Sequence, residues 1–183
     1  VDHSAGLRLN GALSIAETKG RWQELLRQAT TAQLYDVDVR ILDKDQIKKD
    51  YPIINTDEII GGILMPGDGA ADPSGVTHML AKAAKQEGAK IFEKSPVEEI
   101  LTKNGKISGV KVNGQEIECE YIVLASGMWS RQIGEKAGVS IPLYPAEHFY
   151  IITEPIENLS KTLPTIRDFD NRTYIKEDAG KIL

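Results

Sequence analysis

The stretch Tyr121-Ile122-Val123-Leu124-Ala125-Ser126-Gly127-Met128-Trp129-Ser130 decides how this chain is read. Four apolar residues, Ile122 to Ala125, suit a strand covered on both faces, and Ser126-Gly127 supplies a tight, side-chain-poor turn before Trp129. Open α/β sheets place ligands at such strand ends, because a small-residue turn lets another molecule approach the backbone. A core strand with an ordinary glycine turn fits the same residues equally well.

Working upstream, Asn104-Gly105 and Asn113-Gly114 are hairpin turns flanked by β-branched alternation, predicting a three-stranded meander after a short strand at Lys90 to Glu93. Before these, Asp72-Pro73 launches a helix carrying Val76, Met79, Leu80, Ala83 and Ala84 on one face and stopping at Gly88. Ile59 to Met65 reads as a glycine-interrupted strand. Asp43 and Gln46 form a capping box for a short helix ended by Tyr51-Pro52. Trp22, Leu25, Leu26 and Ala29 mark an amphipathic helix over Gly20 to Leu34, its stripe facing a sheet. Leu7 to Ala16 alternates as a strand broken at Asn10-Gly11. Downstream, a short helix runs to Ala137-Gly138 and a long strand spans Leu143 to Thr153. Strands at Thr173 to Glu177 and Lys181 to Leu183 flank a turn at Asp178-Ala179-Gly180. Both ends read as cut from something longer.

Composition narrows the function. With 183 residues, 41% of them hydrophobic, the chain can bury a core. No apolar run approaches the roughly 20 residues that span a bilayer, and no basic-then-apolar leader opens the sequence, so no membrane partner is expected. A net charge of −5 with interspersed signs argues against a nucleic-acid surface. Cys119 is the only cysteine, which excludes an internal disulfide and agrees with a reducing, cytoplasmic setting. His3, His78 and His148 are scattered, so no metal-ligand spacing exists, and turn and capping chemistry account for Asp68 and Asp72. No G-x-S-x-G elbow supports a hydrolase.

The runs D-G-A-A-D-P, P-V-E-E-I, I-V-L-A-S-G-M-W-S and H-F-Y-I-I-T-E-P, in this order and spacing, resemble the D-amino-acid-oxidase-like (DAO) flavoprotein superfamily, nearest its dimethylglycine and sarcosine dehydrogenase branch. The resemblance implies an α+β or α/β fold: an antiparallel substrate-domain sheet with helices, plus part of a Rossmann-like FAD-binding domain. Residues 1–66 and 141–183 would form the substrate-binding domain, and residues 67–140 part of the FAD-binding domain. The chain would then be an internal fragment of an FAD-dependent oxidoreductase acting on CH–NH groups. Its substrate would be an N-methylated amino acid such as sarcosine or dimethylglycine, giving up a hydride to the flavin. Neither Gly61-Gly62 nor Gly67 to Gly69 has the spacing of a dinucleotide fingerprint, so the fragment alone is expected to be inactive and to hold FAD weakly.

The same resemblance assigns site residues. The Val97 backbone would meet the adenine, its side chain being an ordinary strand valine. Ala125, Ser126 and Gly127 would pass close to the cofactor with Trp129 beside them, although Trp129 also reads as a core anchor. On the long strand, His148 and Tyr150 would share one face over the flavin. His148 would accept a proton, since an imidazole titrates near neutral pH, and Tyr150 would orient the amine or carboxylate. Tyr174, on a neighbouring strand, and Arg167, in a loop before Asp168, are candidates for the substrate carboxylate. Glycine oxidase, D-amino acid oxidase and glycerol-3-phosphate dehydrogenase chemistry are the nearest alternatives. A phosphate substrate would call for a basic cluster that His148 to Thr153 lacks. A different reading makes the isolated chain a binding module that pairs two copies through exposed sheet edges, as a homodimer.

Overall fold

A computed structural model describes residues 5–183; His3 lies outside them. The chain forms two compact units, residues 1–87 with 150–183, and residues 88–149. The first holds β1 (Ala12–Ala16), α1 (Lys19–Gln33), β2 (Arg40–Asp43), α2 (Lys44–Asp50), β3 (Gly61–Met65), α3 (Pro73–Gln86), β7 (Thr165–Asp168), β8 (Thr173–Ile175), β9 (Glu177–Asp178) and β10 (Lys181–Ile182). The second holds β4 (Val97–Lys103), β5 (Lys106–Val112), β6 (Gln115–Glu118) and α4 (Ser130–Lys136).

A five-stranded mixed sheet in the order β2-β3-β1-β7-β8 organises the first unit. Its central strand, β1, runs antiparallel to β3 and parallel to β7. All five β1 residues are buried because both sheet faces are covered. On one face, α1 sets Leu25 and Ala29 against Ala16 and Ile63, with Trp22 and Val39 at the margin. On the other, Ile47 of α2 joins Leu13, Ile15, Leu42, Ile54, Ile59, Leu163 and Ile166. Trp22 fits because Gly61 presents no side chain: a Cβ there would stand 2.8 Å from the indole ring.

Local signals set the helix ends. Thr18 caps α1 by accepting the Arg21 amide, Asp43 and Gln46 close a capping box on α2, and Asp72 accepts the Ser74 and Gly75 amides ahead of Pro73 on α3. In the second unit, β4-β5-β6 is an antiparallel meander. Its two turns put Asn104 and Gly105, then Asn113 and Gly114, at positive φ, the conformation that matches the twist of the flanking strands.

Several expected strands do not form. Residues 121–126 join no ladder, and Tyr121 and Val123 are 85% and 89% exposed. Apolar sequence gives strand propensity, whereas a strand exists only where a neighbour satisfies its amides and carbonyls, and no described strand lies alongside. Residues 143–152 likewise form no strand. Pro142 and Pro145 remove ladder donors at the start, the Leu143 amide donates locally to the Ile141 carbonyl, and just past the stretch the Thr153 amide donates to the Ile182 carbonyl. Lys90 to Glu93 is irregular, and Leu7 and Leu9 remain exposed beside an isolated Arg8–Ala70 bridge. Thr173 to Glu177 splits at Lys176 into β8, paired with β7, and β9, paired with β10. No helix among the described residues is long and apolar enough to cross a membrane.

One ion pair closes the first unit at its edge. The Glu177 side chain is only 2% exposed; it takes the Gly180 amide at 2.8 Å and the Arg8 guanidinium at 2.7 Å. The Gly180 N–H foremost, then Arg8, hold its carboxyl below the usual range against the opposing effect of burial. Asp170 is also lowered. There burial is the largest single influence and pushes upward, but the Glu17 amide, Arg21 and Thr18 together outweigh it. A depressed carboxyl pKa stabilises the fold fully above the unfolded value of about 4.3 for Glu or 3.9 for Asp and loses that contribution as pH falls through the folded value. Thermal midpoints should therefore stay level from pH 7 to about 5 and drop below about pH 4. Glu177→Gln should flatten that drop; an unchanged acid limb would show that Glu177 does not contribute.

Candidate functional site

The β7–β8 ladder lines an open cleft to which Arg167 and Tyr174 contribute the polar groups of interest. β7 pairs with β8 so that Arg167 faces Tyr174 directly, and a cross-strand pair puts both side chains on one sheet face. Arg167 is therefore a strand residue and not a loop residue. With Thr165, Phe169, Arg172 and Thr173 these two line an open cleft of about 570 Å³. The turn joining the strands is built by Asp168, whose Oδ1 accepts the Asp170 and Asn171 amides while Oδ2 accepts the Asn171 side-chain amide. At the end of this turn Arg172 holds φ +55°, a left-handed conformation that costs energy for any residue with a Cβ and recurs at functional turns. Arg21 lies 5.3 Å from the Phe169 ring centroid and pairs with Asp170, bracing the turn from α1.

Arg167 itself pairs with Asp68, Nη2 to Oδ2 at 3.1 Å, both side chains being about one-third exposed. A surface pair of this kind adds little stability, so its interest is geometric. The Asp68 contact is absent from the sequence reading, which assigns that residue to a turn. A partner 99 positions away in the chain leaves no local signal.

The opposite sheet face holds a second, mainly apolar cavity of about 290 Å³ among Ile15, Ile54, Leu163, Ile166 and Ile175, with Glu17 and Asp168 at its edge.

The remaining candidates stand apart from the cleft residues in sequence. Val97 opens β4 opposite Val112 and is 39% exposed. Ala125 and Ser126 lead into a single 3₁₀ turn at Gly127–Trp129, with Gly127 at φ +54° and open space around it. The Ser126 and Ser130 hydroxyls meet at 3.1 Å, and the Trp129 amide donates to the Ser126 carbonyl. Trp129 is 60% exposed and anchors no core. His148 and Tyr150 are exposed on the irregular stretch, so the shared strand face expected for them is not formed.

A bound dinucleotide needs free amides at a helix start for its pyrophosphate. Here the first turns of α1, α2 and α3 are already satisfied by Thr18, Asp43 and Asp72, and Asp170 adds a carboxylate beside the start of α1. The 125–129 turn offers side-chain-poor backbone for a flat ring to lie against, but α4 behind it follows no ladder strand. The starts of α1, α2 and α3 therefore offer no open cradle for a pyrophosphate.

A family model described as FAD dependent oxidoreductase matches residues 2–183. The chain belongs to this DAO family. It is 35% identical over 173 residues to 4-methylaminobutanoate oxidase (formaldehyde-forming) of Paenarthrobacter nicotinovorans, covering 94% of this chain and 21% of that protein. It is 33% identical over 172 residues to the mitochondrial sarcosine dehydrogenase of Homo sapiens, covering 91% of this chain and 19% of that one. The chain therefore spans about a fifth of the length of these curated relatives. Among solved structures, L-proline dehydrogenase from P. horikoshii superposes with a TM-score of 0.86 at 27% identity, over 96% of this chain and 48% of that one. The mixed α/β architecture of this DAO member is thus that of an FAD-dependent oxidoreductase.

Proposed function

We propose that this DAO member works within a longer flavoenzyme that oxidises an N-methylated amino acid of the sarcosine or dimethylglycine type, with FAD receiving the hydride. The observation that carries this reading is the Arg167–Tyr174 pair across β7 and β8, which puts a guanidinium and a phenol on one sheet face, both lining an open cleft. A guanidinium takes a carboxylate in two parallel hydrogen bonds, and a phenol beside it can donate a third. The names of the relatives, an N-methylamino acid oxidase and a sarcosine dehydrogenase, support the amine class.

In this reading His148 accepts the proton released by the substrate nitrogen and Tyr150 orients the amine. Val97, Ala125, Ser126, Gly127 and Trp129 line the cofactor. Residues 1–66 and 141–183 serve the substrate and residues 67–140 serve FAD. The lone Cys119 suits a cytoplasmic enzyme, and exposed edges such as β2 suit a homodimer.

The test uses the full-length protein loaded with FAD and mixed anaerobically with sarcosine or dimethylglycine. Loss of the visible flavin absorbance is expected with at least one of them. Arg167→Gln should raise KM about 10- to 100-fold, the equivalent of losing one partly exposed charge-assisted contact. Bleaching by primary D-amino acids alone, or a KM untouched by Arg167→Gln, would refute the reading.

A further inference from the structure

The way Arg167 is held carries the reading one step further. Only one of its guanidinium nitrogens, Nη2, meets the protein, at Asp68 Oδ2; Nε and Nη1 have no hydrogen bond to any described residue. Asp68 is itself fixed. Its Oδ1 accepts the Gly69 amide at 2.8 Å, its amide donates to the Met65 carbonyl, and its carbonyl accepts the Gly11 amide at 2.9 Å. Gly11 in turn accepts, through its carbonyl, the amide of Thr165 at 3.1 Å, the first residue of β7. The carboxylate and the strand bearing its guanidinium partner therefore hang from the two sides of one residue. Glycine suits that position, because its φ is +80° and a Cβ would stand 3.3 Å from the Met65 carbonyl oxygen, a tight approach.

An arginine without such a partner samples many rotamers, and ordering it on binding lowers affinity. Asp68 settles that ordering in advance and leaves one edge of the guanidinium without a partner among the described residues, on the sheet face that Tyr174 shares. We propose that Asp68 is a positioning residue that presents the free edge of Arg167 to the α-carboxylate of the substrate, and thereby makes the cleft select carboxylates over carboxamides. The inference rests on the proposed substrate role of the cleft. A competing effect has the opposite sign: the Asp68 charge repels an incoming carboxylate, so removing it would tighten binding if repulsion outweighed positioning.

The experiment uses the full-length FAD-loaded protein and two unoxidisable probes, methoxyacetate and methoxyacetamide, titrated calorimetrically alongside the kinetics of sarcosine and sarcosinamide. Asp68→Asn keeps the size and the Gly69 contact. It should weaken methoxyacetate about tenfold, leave methoxyacetamide unchanged and raise KM for sarcosine with kcat within twofold. Asp68→Glu, which keeps the charge, should recover part of the loss. Tighter methoxyacetate binding in Asp68→Asn, or equal losses for acid and amide, would overturn the proposal. If Asp68→Asn has no effect while Arg167→Gln does, positioning fails and the substrate reading stands. If Arg167→Gln has no effect either, the substrate reading itself falls.

Discussion

Leu13→Ala should lower the unfolding free energy of the β1 unit by about 2–5 kcal/mol, the range for emptying a fully enclosed leucine site. Leu13 is 0% exposed on the central strand, with Leu64 beside it on β3, Ile166 on β7 and Ile47 closing the face from α2. Strands on either side and helices above and below leave the cavity little room to collapse, which favours the upper part of the range. Urea unfolding followed by Trp22 fluorescence, in a Trp129→Phe background so that Trp22 is the only indole, should show the midpoint fall by about 1–2 M with an unchanged slope. A loss below about 1 kcal/mol would mean that this face repacks and is not the rigid core described.

Gly62→Val should be nearly as damaging, by the opposite route. A Cβ at Gly62 would lie 2.7 Å from the Ser14 carbonyl oxygen and 3.2 Å from Ile47 Cδ1 and Leu13 Cδ1. The first contact is backbone, so relief requires β1 and β3 to separate, where a side-chain clash would need only a new rotamer. Overpacking of this kind costs about 3 kcal/mol. Gly20→Ala is the control: its added methyl meets nothing within 4 Å and stands in α1, where alanine is favoured over glycine by roughly 0.5–1 kcal/mol. Urea midpoints moving in opposite directions are expected, and a neutral Gly62→Val would disprove the close approach of β1 and β3.

The candidate site was partly readable in advance. Arg167 and Tyr174 are recognisable as donors for a carboxylate from residue type, but their meeting is a property of the β7–β8 register, which no spacing in the sequence encodes. Asp68 carried an Asp-Gly turn signal that explained it fully at the local level, and so concealed its second role as the partner of Arg167. The stretches 122–125 and 143–153 failed in the other direction. Their apolar character and β-branched content are real, yet the strands depend on neighbours that no described residue provides.

What the sequence determined alone is everything that depends on a few adjacent residues. Thr18, Asp43 and Asp72 start helices because a side-chain oxygen two or three positions ahead of free amides satisfies them wherever the helix lies. Asn104-Gly105 and Asn113-Gly114 turn the chain because those residue types tolerate positive φ. Tertiary structure alone decided which strand lies beside which: that β1 is central, that β7 joins it in parallel across some 150 residues of chain, and that Asp68 reaches Arg167. Capping and turn energies are local and so are written in short segments. Strand pairing is stabilised by burial and by ladder bonds between distant segments, and its outcome is fixed only when all the competing surfaces are present at once.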